Sequence, residues 1–288
     1  MIAARGIAFT AEPAPPPVPL EMPGVHHAFR VSERLLSGSQ PEGEAAFAAL
    51  ARAGVKTIVS VDGAKPDVET ARKFGLRYLH PPFGYDGIPA ERVRQLARAV
   101  AITGDGAIFV HCHHGKHRGP AAIAVMCEAT VGWTPERAEA WLRQAGTADD
   151  YPGLYRAARE FRPISPEEIA RVGELPEITA TPELVDTMVA IDAQFDLLKA
   201  AQKAGWATPA IHDAVLLREH FREMARTADT AQRSADYRAK LAQAESSAKA
   251  LQAAFRTPAA GAPTLDSALK KTAQTCAACH AAYRNEKK

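Results

Sequence analysis

The sequence predicts an α/β domain, with a central, mostly parallel sheet flanked by helices, followed by an all-α four-helix bundle. Short apolar segments alternate with helical segments between residues 25 and 161, which is typical of layered α/β domains. Beyond residue 181 no strand pattern is found, and apolar residues recur at helical spacing instead. A chain of 288 residues is long enough for both domains.

Four segments follow from this pattern. Residues 1–24 are predicted to be a leader or linker, because the proline-rich stretch at 11–19 cannot pack. It is also compatible with the remnant of an export signal. The α/β domain is assigned to residues 25–164, a linker to 165–180 and the bundle to 181–288.

Within the α/β domain, β-branched and apolar segments bounded by turn residues predict the strands. These strands lie at residues 25–31, 35–36, 55–61, 76–80 and 107–110. Helices are predicted at residues 41–53, 67–74 and 89–102, from residue 120, and from residue 135. Thr134 is the predicted N-cap of the last of these helices, with Pro135 at its first position.

Ser165 and Glu168 form a capping-box pattern that predicts a short helix in the linker. In the bundle, helices are predicted to begin at Thr181-Pro182 and Thr208-Pro209. A third contains residues 237–255, and a fourth follows the breaker at 258–263. Short connections between four amphipathic helices favour a bundle.

Composition narrows the range of partners. Hydrophobic residues make up 47% of the chain, charged residues 24%, and the formal net charge is +2. This balance lacks the basic excess that duplex nucleic acid favours. No apolar run reaches the length of a membrane span. We therefore expect neither a nucleic-acid partner nor a membrane span.

The most informative segment runs from His111 to Gly119. Cys112 follows a predicted strand, and Arg118 stands six positions later at the start of an apolar helix. Such a loop gathers unpaired backbone N–H groups and suits an anion. A helix N-terminus and nearby cations also favour the thiolate. With up to four imidazoles and Lys116 in the segment, these parts suit attack on a phosphate ester.

The leaving oxygen needs a proton, so a carboxylic acid on another loop is expected. Asp86 is the first candidate, because it lies in a turn-rich segment after the strand at 76–80. Asp62, at the end of another strand, is the second. Asp105 lies in an ordinary Gly-Asp-Gly turn and is taken as structural. His111 precedes the nucleophile, where it can hold the loop and stabilise the thiolate.

The pattern His-Cys-x-x-Gly-x-x-Arg resembles the signature of the protein-tyrosine and dual-specificity phosphatases. Residues 54–61 and 75–81 resemble the compact dual-specificity branch, and the likeness covers about residues 29–161. It implies that Cys112 is the nucleophile, Arg118 the phosphate clamp, and Asp86 the general acid that later activates water. The remaining loop residues would bind substrate: His113, His114, Gly115, Lys116, His117 and Gly119.

One position departs from that family, which usually has Ser or Thr after the arginine. In that family, the hydroxyl of this Ser or Thr stabilises the departing thiolate. Gly119 has no hydroxyl, so the resemblance implies slow turnover. Two other readings remain open. The histidines could bind a metal, although the carboxylate or paired-thiol spacing of such sites is missing. Cys127, on the apolar helix, is either a core residue or a resolving partner for Cys112.

A second motif lies near the C-terminus, where Cys276 and Cys279 are three positions apart and His280 follows. Two such thiols can each attach to a haem vinyl group, and the histidine can bind the iron. The alternative is a zinc or redox pair. A single Cys-x-x-Cys lacks the second ligand pair of structural zinc, and it has no βαβ setting here.

This ending resembles cytochrome c′, a likeness that covers about residue 182 to the C-terminus. It implies haem c attached through Cys276 and Cys279, with His280 as the proximal metal ligand. Leu184, Phe195 and Met188 are candidates to cover the other face, and Met188 as sixth ligand stays open. Covalent haem attachment implies a periplasmic location, with a redox partner or small gas at the haem. A homodimer through the bundle also stays open.

The leading hypothesis is a cysteine-dependent phosphatase, acting on a phosphorylated protein or small phosphate ester, fused to a c-type haem domain. The alternative is an electron-transfer or gas-binding cytochrome whose N-terminal domain only binds phosphorylated ligands. A third reading has the haem regulating the phosphatase, which requires coupling between the domains.

Overall fold

A computed structural model describes residues 15–180, 184–257 and 261–283. Four segments named in the sequence analysis fall wholly or partly outside these residues: the start of the leader at 1–14, the helix start at 181–183, the breaker at 258–260 and the end at 284–288. No helix in the described ranges is both long enough and apolar enough to cross a membrane.

The N-terminal region is built on a mixed sheet whose described strands number six. In chain order they are β1 (Val18–Met22), β2 (Val25–Arg30), β3 (Leu35–Ser39), β4 (Val55–Ser60), β5 (Arg77–Leu79) and β6 (Ala107–Cys112). The spatial order is β1-β2-β3-β6-β4-β5. The first three pair antiparallel, and β3, β6, β4 and β5 pair parallel. The carboxyl ends of β4 and β6 therefore lie side by side.

Helices cover both faces of this sheet. They are α1 (Gly43–Arg52), α2 (Val68–Lys73), α3 (Ala90–Ile102), α4 (Arg118–Thr130), α5 (Pro135–Gln144), α6 (Pro152–Arg159) and α7 (Pro166–Ala170). Successive strand residues point to opposite faces, so Ile58 packs in one cluster with Phe47 of α1. Its neighbour Val59 packs in the other cluster with Ile123 of α4. The α/β layering predicted from the sequence is confirmed.

Two features of this region were not predicted. Strand β1 lies in the segment expected to be leader or linker, and α6 had no predicted counterpart. Pro19 is compatible with β1 because β1 is at the edge of the sheet, where one side of the strand makes no ladder hydrogen bonds. The sheet is mixed: β1 and β2 add an antiparallel edge to the four parallel strands.

Two predicted helix starts are confirmed by their side-chain caps. The Ser165 hydroxyl accepts a hydrogen bond from the Glu168 backbone N–H at 3.2 Å, and the Glu168 carboxylate accepts one from the Ser165 N–H at 3.0 Å. The Thr134 hydroxyl accepts from the Arg137 N–H at 3.4 Å. These bonds satisfy N–H groups that a helix start leaves without intrahelical partners.

Helices are the regular secondary structure found in the described residues of the C-terminal region. Its helices are α8 (Leu184–Lys203), α9 (Ile211–Ala225), α10 (Ala228–Gln232), α11 (Ala235–Phe255) and α12 (Ala262–Tyr283). The four long helices share one hydrophobic cluster, which includes Leu198, Leu217, Leu251 and Leu269. Four helices were predicted here, and the specific arrangement of a cytochrome c′ bundle stays a prediction.

Candidate active site

The thiol loop joins the central part of the sheet to a buried helix. Cys112 is the last residue of β6, which pairs with β3 on one side and β4 on the other. Arg118 is the first residue of α4, and both side chains are buried. The structure thus holds the predicted nucleophile and the predicted phosphate clamp at the two ends of one loop, between a strand end and a helix N-terminus.

Gly115 allows the loop to close tightly against β3. Its φ of +71° lies in the left-handed region that favours glycine. A Cβ at this position would lie 2.5 Å from the backbone carbon of Gly38 and 2.6 Å from the Ser39 nitrogen. Any side chain would therefore push the loop away from the sheet.

Gly119 packs directly against the nucleophile. A Cβ placed on it would lie 3.6 Å from the Cys112 Sγ and 3.2 Å from the Cys112 nitrogen. A serine hydroxyl at this position would therefore start from a carbon in contact with the thiol.

Arg118 is held by several groups at once. Its guanidinium donates to Glu223 Oε1 at 2.7 Å, to Asp62 Oδ1 at 3.4 Å and to the Phe83 carbonyl at 3.4 Å. It also lies 4.4 Å from the ring centroid of Tyr85. Both Arg118 and Asp62 are only 2% exposed, so these charge-assisted bonds lie largely out of water.

Asp62, the second candidate for the general acid, is an ionised partner of two arginines. Arg226 donates to its two oxygens at 2.9 Å and 2.7 Å. Burial alone would raise the pKa of Asp62, but the charge of Arg118 and the Arg226 hydrogen bonds hold it well below its usual range. In this arrangement Asp62 positions Arg118 and is unsuited to donate a proton.

His111 is buried beneath the loop. Its Nε2 lies 3.3 Å from the Tyr78 hydroxyl, and its ring stacks on Phe109 with centroids 5.9 Å apart. Burial lowers the pKa of His111 to about 4. The imidazole is therefore neutral near pH 7, and its contribution to the loop is positional rather than a positive charge beside the thiol.

Four of the predicted substrate-binding side chains line one cavity of about 640 Å³: His113, His114, Lys116 and His117. Burial lowers the pKa of His113 to about 4 and that of His117 to about 3. The His117 ring stacks on Tyr151, with centroids 4.2 Å apart. These two imidazoles are neutral at pH 7 and add no positive charge to the loop. In the described part of the chain, no group of three or more His, Cys, Asp or Glu residues is placed to hold a metal ion.

Comparison with known proteins gives one curated relative and several solved structures, while no family model matches the chain. Protein-tyrosine-phosphatase IBR5 of Arabidopsis thaliana is 28% identical over 85 residues, 27% of this chain and 33% of that protein. The chain thus spans about a third of the length of this relative. The crystal structure of P. aeruginosa TpbA in complex with pTyr is 23% identical with a TM-score of 0.45, covering 53% of this chain and 93% of that one. Human DUSP28 is 24% identical with a TM-score of 0.37, covering 49% and 93%.

Over those 85 residues the chain resembles a protein-tyrosine phosphatase, and we call the region built on the sheet the phosphatase-like domain. In this phosphatase-like domain, the structure brings Cys112, Arg118 and His111 together. Asp86, the first candidate for the acid, lies outside that buried cluster. Its side chain is 72% exposed, and its Oδ1 lies 3.7 Å from Nε2 of His212 in α9. The neighbouring His212 lowers the pKa of Asp86, which favours the carboxylate over the acid.

Helix α9 supplies site residues that the sequence analysis missed. Glu223 lies on this helix, Arg226 is its C-cap, and His212 is near its start. This helix was predicted from its start at Thr208-Pro209, and none of its charged positions was used. A second face, with His212, Glu219, Glu223 and Arg226 at helical spacing, was the available signal. Val215 of the same helix packs into a core cluster of the phosphatase-like domain.

The C-terminal motif lies on a separate cavity of about 540 Å³. Cys276, Cys279 and His280 of α12 line it, and burial raises the pKa of both thiols. The opposing walls are mainly apolar and include the residues predicted to cover a haem: Leu184, Met188 and Phe195. Two thiols and an imidazole beside apolar walls fit the donor set of a c-type haem.

Proposed function

We propose that the protein is a cysteine-dependent phosphatase that hydrolyses phosphate monoesters through a phosphocysteine intermediate. The observation that carries this proposal is the position of Cys112 and Arg118 at the two ends of a loop between the end of β6 and the start of α4. A thiolate and a fixed guanidinium fork around one anion site are the groups that phosphoryl transfer needs.

In the first step, the Cys112 thiolate attacks phosphorus in line with the ester oxygen. The S–P bond forms as the P–O bond breaks, and the leaving oxygen takes a proton from a carboxylic acid. Arg118 and the loop N–H groups hold the equatorial oxygens through the transition state. In the second step, water attacks the phosphocysteine, which releases inorganic phosphate and the thiolate.

Asp86 is the proposed acid, and the same carboxylate would then activate the water. It lies on the segment between β5 and α3, paired with His212. To serve as the acid it must leave this ion pair and turn toward Cys112. Gly119 supplies no hydroxyl to the departing thiolate, so we expect breakdown of the phosphocysteine to be the slow step.

Hydrolysis of an aryl phosphate by the wild type and by Cys112→Ser tests this proposal. Loss of turnover in the serine variant, with the fold unchanged, would support it. Turnover that does not depend on Cys112 would overturn it. No hydrolysis by the wild type, with haem present, would favour the alternative in which the N-terminal domain only binds phosphorylated ligands and the protein acts as an electron-transfer or gas-binding cytochrome.

We also propose that the helical region carries a c-type haem. The supporting observation is that Cys276, Cys279 and His280 line one largely apolar cavity. The thiols would attach the group and His280 would bind the iron, which would supply redox or gas-binding chemistry. Covalent attachment implies export to the periplasm. A Soret band that survives acid–acetone extraction would support this, and its absence in periplasmic material would contradict it.

A further inference from the structure

We propose that α9 is a built-in inhibitor of the thiol loop, with the Glu223 carboxylate occupying the place of a substrate phosphate oxygen on Arg118. This inference rests on the proposed function, because it assigns a regulation to the same site. It begins from the observation that the helix contacts three acidic or basic groups around the loop.

Each contact has a different chemical effect. Glu223 accepts a hydrogen bond from the Arg118 guanidinium at 2.7 Å. Arg226 holds both oxygens of Asp62. His212 lies beside Asp86. One helix therefore engages the proposed phosphate clamp, the carboxylate that positions it, and the proposed acid.

The contact between Glu223 and Arg118 is the decisive one. A carboxylate presents an oxygen to the guanidinium as a phosphate does. Glu223 Oε2 is buried and has no hydrogen-bond partner among the described residues. A Cβ on Gly63 would lie 2.6 Å from that oxygen, so the carboxylate packs closely against the chain next to Asp62.

Because of the charge balance at this site, Glu223 and a substrate phosphate cannot both bind Arg118 favourably. Two guanidiniums, Arg118 and Arg226, face two carboxylates, Asp62 and Glu223, at 3.4 Å or less. A phosphate dianion beside both carboxylates would leave buried negative charge without a partner, which is unfavourable. Substrate can therefore bind well only after Glu223 has moved away from Arg118.

The rest of α9 is anchored on both sides. Tyr151 of the phosphatase-like domain donates to Glu219 at 3.1 Å, and Val215 is fully buried in that domain's core cluster. On the other side, Phe221 and Met224 line the cavity that holds Cys276 and Cys279. Glu223 and the cavity-lining residues Phe221 and Met224 thus belong to one helix. A group bound in the cavity could therefore change the contact between Glu223 and Arg118.

The test is binding of tungstate, a tetrahedral dianion, to the full-length protein measured by calorimetry. Glu223→Gln and Glu223→Ala are expected to bind tungstate at least about tenfold more tightly than wild type, because the competent fraction of the site rises. Asp196→Asn is the control: it removes a carboxylate from an ion pair within α8, Lys199–Asp196, and neither of these residues lines the cavity beside the thiol loop. Circular dichroism verifies that each variant is folded.

Unchanged or weaker tungstate binding in both folded Glu223 variants would overturn the inhibitor proposal. Weaker binding would show that Glu223 instead positions Arg118 for the anion. Hydrolysis of an aryl phosphate by Glu223→Gln, with and without Cys112→Ser, separates this outcome from failure of the phosphatase proposal. Tighter tungstate binding without Cys112-dependent hydrolysis would support occupancy of the site by Glu223 and contradict only the catalytic proposal.

Discussion

The Glu223 carboxylate and the Arg118 guanidinium meet at 2.7 Å beside the loop that carries Cys112. Arg118 is thereby ordered before any substrate arrives, but its fork is already engaged by an anion. In the proposed function, this pair is an anion site that is already formed and occupied. Measurements on the proposed catalytic residues are best made both in wild type and in Glu223→Gln.

Replacing Arg118 with lysine is expected to lower kcat/KM for an aryl phosphate by about 100- to 1,000-fold, the usual effect of losing a donor to the transition state. Lysine keeps the charge but lacks the planar fork that binds two oxygens together. Steady-state kinetics measure the change. Arg143→Lys, in surface ion pairs of α5, serves as control. Equal losses in the two variants would contradict the role of Arg118.

Gly119→Ser is expected to speed breakdown of the phosphocysteine, because its hydroxyl would start from a carbon 3.6 Å from the Cys112 Sγ. Stopped-flow hydrolysis should show a burst in wild type, followed by a slow steady state. The serine variant should have a smaller burst and a higher kcat. Gly119→Ala controls for the tight contact with the Cys112 nitrogen. If alanine and serine behave alike, the hydroxyl has no role.

Stability should depend on pH through Glu128 in α4. Burial raises the pKa of this carboxyl from 4.5 to about 8, so the folded state retains a proton that the unfolded state releases. The contribution of Glu128 to stability is therefore greatest below pH 4.5 and is lost as the pH rises to about 8. Glu128→Gln should reduce the loss of Tm between pH 5 and pH 8 by about 2–4 °C or more, the shift expected from 1 kcal/mol in a protein of this size.

The exposed Glu160 provides the comparison for that experiment. Glu160→Gln should leave the pH dependence of Tm as it is in wild type. A Tm loss that is the same in wild type and Glu128→Gln would show that Glu128 is not the group responsible.

Haem attachment is expected to change the tungstate affinity of the thiol loop. Phe221 and Met224 line the cavity of Cys276 and Cys279, on the helix whose Glu223 engages Arg118. Haem-loaded protein should differ from Cys276→Ala/Cys279→Ala protein by several-fold in tungstate Kd, within the usual range of coupling free energies. The difference should vanish in a Glu223→Gln background. Equal tungstate affinities of haem-loaded protein and Cys276→Ala/Cys279→Ala protein would contradict a coupling between the cavity and the loop.

The sequence predicted features with a local cause. Cys112 and Arg118 are six positions apart on one loop, and the surrounding strand and helix follow from apolar periodicity. Ser165 and Glu168 cap a helix within a single turn, so this start was also predictable. Strand β1 was not predictable. Pro19 is acceptable in a strand only at a sheet edge, and the position of β1 at the edge depends on its pairing with β2.

The same limit applies within the site. Glu223 reaches Arg118 across 105 sequence positions, and the pairing of Asp86 with His212 also depends on how α9 packs against the phosphatase-like domain. The helical spacing of the charged residues on α9 could be seen in the sequence, but the residues that they contact could not. The imidazoles of the loop were expected to add positive charge, whereas burial lowers the pKa of His111, His113 and His117.

The central claim is that Cys112 carries the phosphoryl group during turnover. Rapid acid quench of the reaction with an aryl phosphate, followed by peptide mass spectrometry, tests this directly. We predict one phosphoryl adduct on the peptide that contains Cys112, enriched in wild type relative to Gly119→Ser and absent from Cys112→Ser, which should not turn over. Undiminished hydrolysis by Cys112→Ser, with no adduct in wild type, would contradict the claim.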